Sequence, residues 1–297
     1  MNFDFNTPIL YLIFNRLDIV KQTFQEIAKV KPKQLFIASD GARNQEEKMI
    51  VDKVRKYVLD NIDWDCEVKT LFRDKNLGCK FAITTAIDWF FNNVEQGIIL
   101  EDDCLPDPNF FRFCQEMLER YKDKDKVMSI GGNSPLGKFK IKDSYLFSKD
   151  SFTWGWATWK ESWDKIDLEL DEYKKVIHEN NLKEYYPLLI ERILRRKRAN
   201  DYLNGGKTDI WDMQWSISLR LNKCLSIIPK NNLIKNIGFC QESTHTIPNK
   251  WDIKYLDGES YNLDYPLKHP LIISPNKIYA RKEMFMQLKR IILKRLL

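Results

Sequence analysis

A chain of 297 residues, 43% hydrophobic and 13% aromatic, has material for one large α/β domain or two small ones. No segment reaches the roughly 18 apolar residues of a membrane-spanning helix, and no charged-then-apolar leader opens the chain. The net charge of +6, from 48 Lys+Arg against 42 Asp+Glu, is a modest excess for a nucleic-acid binder, and the six cysteines form no CxxC pair, which argues against zinc and for reduced thiols in a cytoplasmic protein.

The first 135 residues alternate strand and helix. Pro8 to Phe14 (PILYLIF) reads as a buried strand, with a helix from Leu17. Gln34 to Ser39 is a second strand ending at Asp40-Gly41, and Asn44 with Glu47 forms a capping-box pattern for the next helix. Cys66 to Phe72 is a third strand and Gly78 to Phe91 a helix. The most pointed stretch is Gly97 to Phe111, GIILEDDCLPDPNFF. Its apolar run Ile98-Ile99-Leu100 ends in Glu101-Asp102-Asp103, and Asp107-Pro108 suits the start of a helix that follows at once. Cys104 and Cys114 are expected to be buried beside it. Val127 to Ile130 is a further short strand, ending in Gly131-Gly132-Asn133. Repeated strand-helix units predict a mostly parallel sheet covered on both faces.

The second half is less regular. Lys138 to Ser148 is expected as a strand pair, Ser151 to Trp163 as a Trp-rich segment, and Asp171 to Arg198 as charged helix carrying the cluster Arg192, Arg195, Arg196, Lys197 and Arg198. Trp211 to Leu221 reads as a helix with Trp211, Trp215 and Leu219 on one face. From Ile278 to Leu297, Arg281, Lys282, Lys289, Arg290, Lys294 and Arg295 alternate with Phe285, Leu288, Ile291, Ile292, Leu296 and Leu297. At about 3.6 residues per turn this gives an apolar stripe beside a cationic face, which can lie in an anionic membrane interface. The organisation expected is a domain over 1–265, with a nucleotide and metal half at 1–135 and an acceptor half at 136–265, followed by a basic tail at 266–297.

Each early strand ends in polar groups: Asn15-Arg16, Asp40-Gly41, Arg73-Asp74 and Glu101-Asp102-Asp103. In open α/β sheets the carboxyl edge of the strands is where ligands bind. On one rim, Arg16 and Arg73 suit phosphate oxygens, and Asp40 suits a hydroxyl or base edge. Three adjacent carboxylates suit a hard cation, Mn²⁺ or Mg²⁺, that relieves their repulsion. A nucleoside diphosphate needs that combination. No GxGxxG or GxxxxGK[ST] loop is present.

Four pieces in order, FNR at 14–16, SDG at 39–41, ILEDD at 99–103 and the pair WGWATW (154–159) with IWDMQW (210–215), make the chain resemble a GT-A glycosyltransferase. It is most similar to N-acetylglucosaminyltransferase I-like enzymes and their bacterial relatives. The resemblance implies a Rossmann-like sheet with an irregular Trp-rich acceptor region and a C-terminal amphipathic helix. It implies that Asp103, in a variant of the metal-binding DxD motif, ligates Mn²⁺ held by the donor diphosphate, with Glu101 beside it. It also implies that Asp102 contacts ribose or sugar, and that Asp40 and Arg16 contact the nucleotide; Asn15 and Arg73, strand-end residues of the same rim, are further candidates for nucleotide binding. The matching catalytic base is Asp212, with Asp209 as the runner-up. Met213 stands where the related motif carries a second acid.

Trp211 and Trp215 are expected to desolvate Asp212 partly and make it a better base. Trp154, Gly155 and Trp156 are candidates for an acceptor or sugar wall, since flat rings stack on sugars, while the competing reading is an aromatic core. His245 is a candidate for an added metal or diphosphate contact. The expected activity is inverting, metal-dependent transfer of a sugar from a nucleoside diphosphate, UDP-GlcNAc or UDP-hexose by resemblance, to a hydroxyl of a bacterial surface glycan such as lipopolysaccharide or capsule. The acceptor would be a glycan or lipid-linked, no nucleic acid takes part, and the enzyme would be cytoplasmic or peripheral at the inner face of the plasma membrane through its tail. One alternative is a sugar-1-phosphate nucleotidyltransferase, against which the glycine-free stretch Met1 to Leu17 speaks. The other is a non-catalytic glycan-binding protein on the same fold.

Overall fold

The computed structural model describes residues 4–205, 209–238 and 262–296. In chain order the elements are β1 (Ile9–Ile13), α1 (Leu17–Val30), β2 (Gln34–Ser39), α2 (Gln45–Asp60), β3 (Glu67–Phe72), α3 (Gly78–Phe91), β4 (Gln96–Glu101), β5 (Cys104–Pro106), α4 (Pro108–Tyr121), β6 (Val127–Gly131), β7 (Tyr145–Ser148), β8 (Trp156–Trp159), α5 (Lys160–Trp163), α6 (Asp171–His178), α7 (Leu182–Tyr185), α8 (Leu189–Leu203), α9 (Asp212–Leu221), β9 (Leu225–Pro229), β10 (Ile234–Asn236) and α10 (Lys277–Leu296).

Eight strands form one sheet in the order β3-β2-β1-β4-β8-β6-β9-β7. The first four run parallel, β6 and β9 form a further parallel pair, and β8 and β7 run antiparallel to their neighbours. The sheet is therefore mostly parallel, as the alternation of strand and helix predicted. Its strands are continuous aliphatic runs because both faces are covered. On one face Tyr11, Ile13, Ile37 and Leu100 pack with α1, α2 and α4; on the other Leu10, Phe36 and Ile99 pack with α3 and α9.

Local chemistry sets the helix starts. Asp107 caps α4 by accepting from Asn109 N (2.9 Å), and Pro108 occupies the first turn. Asn44 caps α2 by accepting from Glu47 N (2.9 Å), while Glu47 reaches back to Arg43 N (2.7 Å), one residue before the cap.

The structure differs from the sequence expectations in the Trp-rich segment and its surroundings. Residues 156–159 are not an irregular loop: they form β8, a central strand wedged between β4 and β6. Between the acidic triplet and α4 lies the short strand β5, which pairs antiparallel with β10. Of the strand pair expected over Lys138 to Ser148, only β7 forms. The helix expected over Asp171 to Arg198 is broken into α6, α7 and α8. The first half of α10 docks on the domain through Tyr279, Glu283 and Met286, all buried. Cys104 and Cys114 are buried as expected.

Candidate active site

Because β3, β2, β1 and β4 are parallel neighbours, their carboxyl ends lie on one rim, and a cleft of about 410 Å³ opens there. It is lined by Asn15, Arg16, Asp40 and Arg73, the strand-end residues expected to face a nucleotide, and by Glu101, Asp102 and Asp103 of the acidic triplet. Trp154 and Asp209 also face it.

Arg16 follows β1 and pairs with both aspartates of the triplet, closely with Asp102 and at 3.1 Å with Asp103. Burial, with Asp103 and Asp102 beside it, pushes the Glu101 carboxyl up to about 8 against the pull of Arg16. Burial likewise raises Asp102, against the pull of Arg16. Three carboxylates thus face one guanidinium. Asp102 Oδ2 is buried and has no hydrogen-bond partner, which is costly unless something pairs with it. Among the described residues, no three His, Cys, Asp or Glu side chains converge into a ready cage. Mg²⁺-type ions do not need one, since they commonly take one or two carboxylates and complete their shell with substrate phosphates and water. The donor set fits such an ion.

The opposite wall is a lattice of hydrogen bonds. Asp40 accepts from Gly41 N (2.9 Å), Leu77 N (3.0 Å) and Gly78 N (3.2 Å), tying the turn after β2 to the turn before α3. Burial raises its carboxyl and these three N–H groups oppose the rise. Asp40 therefore faces the cleft with much of its accepting capacity already engaged. Gly41 admits no side chain here, because a Cβ would lie 2.3 Å from the Lys75 carbonyl carbon. Asn15 donates to Glu47 (2.8 Å), and Arg43 pairs with the same carboxylate, so buried Glu47 orients two cleft residues at once. The Arg43 guanidinium holds the Glu47 carboxyl below the usual range. Arg73 is steadied by donating to Thr85 Oγ1 (2.7 Å).

Asp209 sits across the cleft and accepts from Cys79 N (2.9 Å) and Lys80 N (2.6 Å). It caps α3 from 130 residues away in sequence, so it holds a helix end as well as facing the cavity. Asp212, at the first position of α9, is not among the residues lining the cleft but lies near enough to Glu101 to contribute to that rise. It pairs with Arg198 at 3.5 Å and is 48% exposed. The expected desolvation by its tryptophan neighbours is not seen. Trp211 and Trp215 turn away from it into the core, as the helix period dictates for a face packed on the sheet.

The aromatic wall resolves in the same way. Trp156 is 1% exposed and stacks with Trp211 (5.6 Å), Trp215 (5.3 Å) and Trp163 (6.1 Å), so it cannot line an acceptor site. Gly155, at φ +55°, makes room for Ile234 rather than for a ligand: a Cβ there would meet Ile234 Cδ1 at 2.4 Å. Trp154 does face the cleft. His245 lies outside the described residues.

Sequence reasoning missed several contributors. Gly238 presses on the triplet so closely that a Cβ would sit 2.4 Å from Asp103 Oδ2, and Ile237 N donates to the Asp103 carbonyl (2.9 Å). Nothing local to 234–238 signals this; only the pairing of β10 with β5 brings it there. Arg43 and Glu47 had a signal, since they follow directly on the polar end of β2. Cys79 also lines the cleft, but burial, then Glu101 and Asp209, push its thiol up, which disfavours a nucleophilic thiolate.

No protein-family model and no curated protein matches the chain. Among solved structures it is similar to the mannosyltransferase PcManGT from Pyrobaculum calidifontis in complex with GDP-Man and Mn²⁺, at 11% identity over 80% of this chain and 59% of that one, TM-score 0.47. It is also similar to S. aureus TarS 1-349, at 9% identity over 77% of this chain and 59% of that one, TM-score 0.41. A UDP-glucose pyrophosphorylase complexed with UDP-glucose aligns at 7% identity over 78% of this chain and 93% of that one, TM-score 0.41. The chain thus spans 59% of the length of each of the first two.

Proposed function

We propose that the chain is a metal-dependent glycosyltransferase that uses a nucleoside-diphosphate sugar. The observation that carries this reading is the convergence of Arg16, Arg73 and the acidic triplet from parallel strand ends on one cleft. Arginines suit the phosphate oxygens, and the carboxylates suit the cation that accompanies a diphosphate. Asp103, with Glu101 beside it, and the unpartnered oxygen of Asp102, a residue the resemblance assigns to ribose or sugar, would hold Mn²⁺ or Mg²⁺, which when bound supplies Lewis-acid stabilisation of the departing diphosphate.

The chain's own residues do the rest. Arg16 and Arg73 bind and orient the diphosphate, while Asp40 and Asn15 shape the nucleotide side. Asp212 is proposed as the base that takes the proton of the acceptor hydroxyl. That oxygen then bonds to the anomeric carbon, and the electron pair of the breaking carbon–oxygen bond leaves with the diphosphate. Direct displacement of this kind inverts the anomeric centre. UDP-GlcNAc or a UDP-hexose is the proposed donor, and a hydroxyl of a bacterial surface glycan, free or lipid-linked, the proposed acceptor. The division of the chain into a domain at 1–265 and a tail at 266–297, and contact of that tail with the inner face of the plasma membrane, belong to the same proposal.

The test is a thermal-shift panel of UDP, GDP, CDP and ADP with and without Mn²⁺. A ligand that binds only the folded state raises the melting temperature. One nucleotide should give a Mn²⁺-dependent shift that Asp103→Ala abolishes. Asp212→Asn should keep the shift and lose about a hundredfold or more of transfer, the usual worth of a positioned base. An Asp103→Ala protein with an unchanged Mn²⁺-dependent shift would overturn the reading.

A further inference from the structure

Helix α8 is amphipathic with the wrong side out. The inward row, Glu191, Arg195 and Ala199, follows the helix period (i, i+4, i+8) and carries charge into the protein. Arg195 pairs with Asp150 at 2.6 Å, and Glu191 pairs with Arg220 at 3.0 Å, while Arg220 also reaches Asp150 at 2.9 Å. This buried cluster fixes the helix's rotation, since turning it would strand Glu191 and Arg195 without partners. The outward face is aliphatic at one end and cationic at the other. Leu189 is 64% exposed, Ile193 53% and Leu188 51%, and on the next turns of the same face Arg196 and Lys197 are exposed. Scattered surface aliphatics need no explanation, but a contiguous run beside cations does.

Helix α10 repeats the arrangement. Tyr279, Glu283 and Met286 face inward, and Glu283 lies near enough to Asp150 and Arg195 for their charges to act on it. Outward, Ile278 is 64% and Phe285 70% exposed, with Lys282 exposed between them. Among the described residues no helix is long and apolar enough to cross a membrane.

We propose that the outward face of α8 is a docking surface for an anionic lipid bilayer, with Leu189, Ile190 and Ile193 inserted at the headgroup boundary and Arg196 and Lys197 on the lipid charges. Charge decides the occupant. Aliphatic side chains beside cations match an interface that offers acyl chains below and negative headgroups above. A second copy docked face to face in parallel would crowd Arg196 and Lys197 of both copies together, and between 188 and 198 no exposed acid offers either copy's cations a partner. The same helix carries Arg198, which pairs with Asp212 about 14 Å along the axis from Leu189. The surface is independent of the sugar-transfer reading, because nothing in its recognition uses the cleft.

The experiment is co-sedimentation of the full chain with phosphatidylcholine vesicles, with and without phosphatidylglycerol, at low and high NaCl. Wild type should pellet with the anionic vesicles only, and less at high salt. Arg196→Glu with Lys197→Glu should weaken binding by about 25-fold or more, from about fivefold per cation removed. Leu189→Ser with Ile193→Ser should also release the protein. These side chains point outward, so both variants should keep the wild-type melting temperature and any nucleotide-induced shift. Wild type that ignores anionic vesicles, or variants that bind them as wild type does, would overturn the proposal. So would a concentration-dependent dimer that the Leu189→Ser, Ile193→Ser variant dissolves without any vesicle effect. Loss of the nucleotide shift with vesicle binding intact would instead count against the transferase reading.

Discussion

Replacing Arg55 with methionine is expected to loosen the cleft wall proposed to face the nucleotide, without touching the cleft directly. Arg55 comes from α2 and lies across the ends of β2 and β3. Its Nε donates to Ser39 Oγ (3.0 Å), and its Nη2 faces the carbonyls of Asp40 (2.9 Å), Arg73 (2.8 Å) and Ser39 (3.3 Å). The guanidinium also lies over the Phe72 ring at 4.9 Å. One Nη2 has two hydrogens, so the three carbonyls share it and the bonds number about three in effect. A bond from a charged donor contributes about 1.5–3 kcal/mol. Methionine keeps most of the apolar stem but leaves buried carbonyls short of donors. Allowing for 14% exposure of the arginine side chain and for sharing, the expected loss is about 2–4 kcal/mol. Urea unfolding measures it, provided the slope is unchanged. Asp40 and Arg73 lose their common tether, so affinity for the nucleotide should fall as well. Arg55→Lys should fall between, because an ammonium lacks the fork that spans two strands. A methionine variant within about 0.5 kcal/mol of wild type, with unchanged nucleotide affinity, would refute the reasoning.

Other expectations follow from single contacts. Gly155→Ala combines positive φ with a Cβ 2.4 Å from Ile234 and should cost about 2–4 kcal/mol in denaturant unfolding. Asp209→Ala removes the acceptor for two α3 N–H groups and should cost about 1–2 kcal/mol; Asp209→Asn should restore most of that stability and retain transfer, whereas a true base would lose transfer in both. Burial and Asp150 raise Glu283 to about 7, above its unfolded value near 4.5. The folded protein therefore binds more protons between those pH values, and stability should fall as pH rises through that window, by up to about 3 kcal/mol. Glu283→Gln should flatten that slope in unfolding measured from pH 4.5 to 8, and a slope equal to wild type would refute the assignment.

Much of the site was legible because its residues sit where the pattern changes. Each parallel strand is an unbroken aliphatic run, so its end is marked by the first polar group, and Arg16, Asp40, Arg73 and Glu101 are those groups. Parallel pairing then delivers them to one rim with no further information. What the sequence hid is whatever depends on pairing partners far along the chain. Gly238 meets Asp103 only because β10 pairs with β5, and Asp209 caps α3 from 130 positions away. The Trp-rich segment misled for a related reason. WATW has no alternation to mark it as a strand, since β8 lies between β4 and β6 and both its faces are buried.

The tryptophans still bear on the proposed chemistry, one step removed. Trp156, Trp163, Trp211 and Trp215 pack ring against ring with centroid separations of 5.3–6.1 Å, and Trp163 Nε1 donates to Asp88 at 2.7 Å. Two of the four belong to α9 or its cap, so the start of that helix cannot shift without unpacking large rings. Asp212 is the first residue of α9 and points the other way, toward solvent and Arg198. A side chain on a free loop would lose that orientation to the entropy of its backbone. Here the rings fix the backbone, and the carboxylate keeps the freedom that the proposed role as base asks for. On the proposed assignment of Asp212 as base, the aromatic cluster is the foundation that aims it rather than a surface that touches sugar. It follows that Trp215→Leu should disturb transfer through the position of α9, lowering turnover together with stability, while leaving the Mn²⁺-dependent nucleotide shift in place. A variant that kept turnover while losing stability would show that Asp212 does not depend on this foundation.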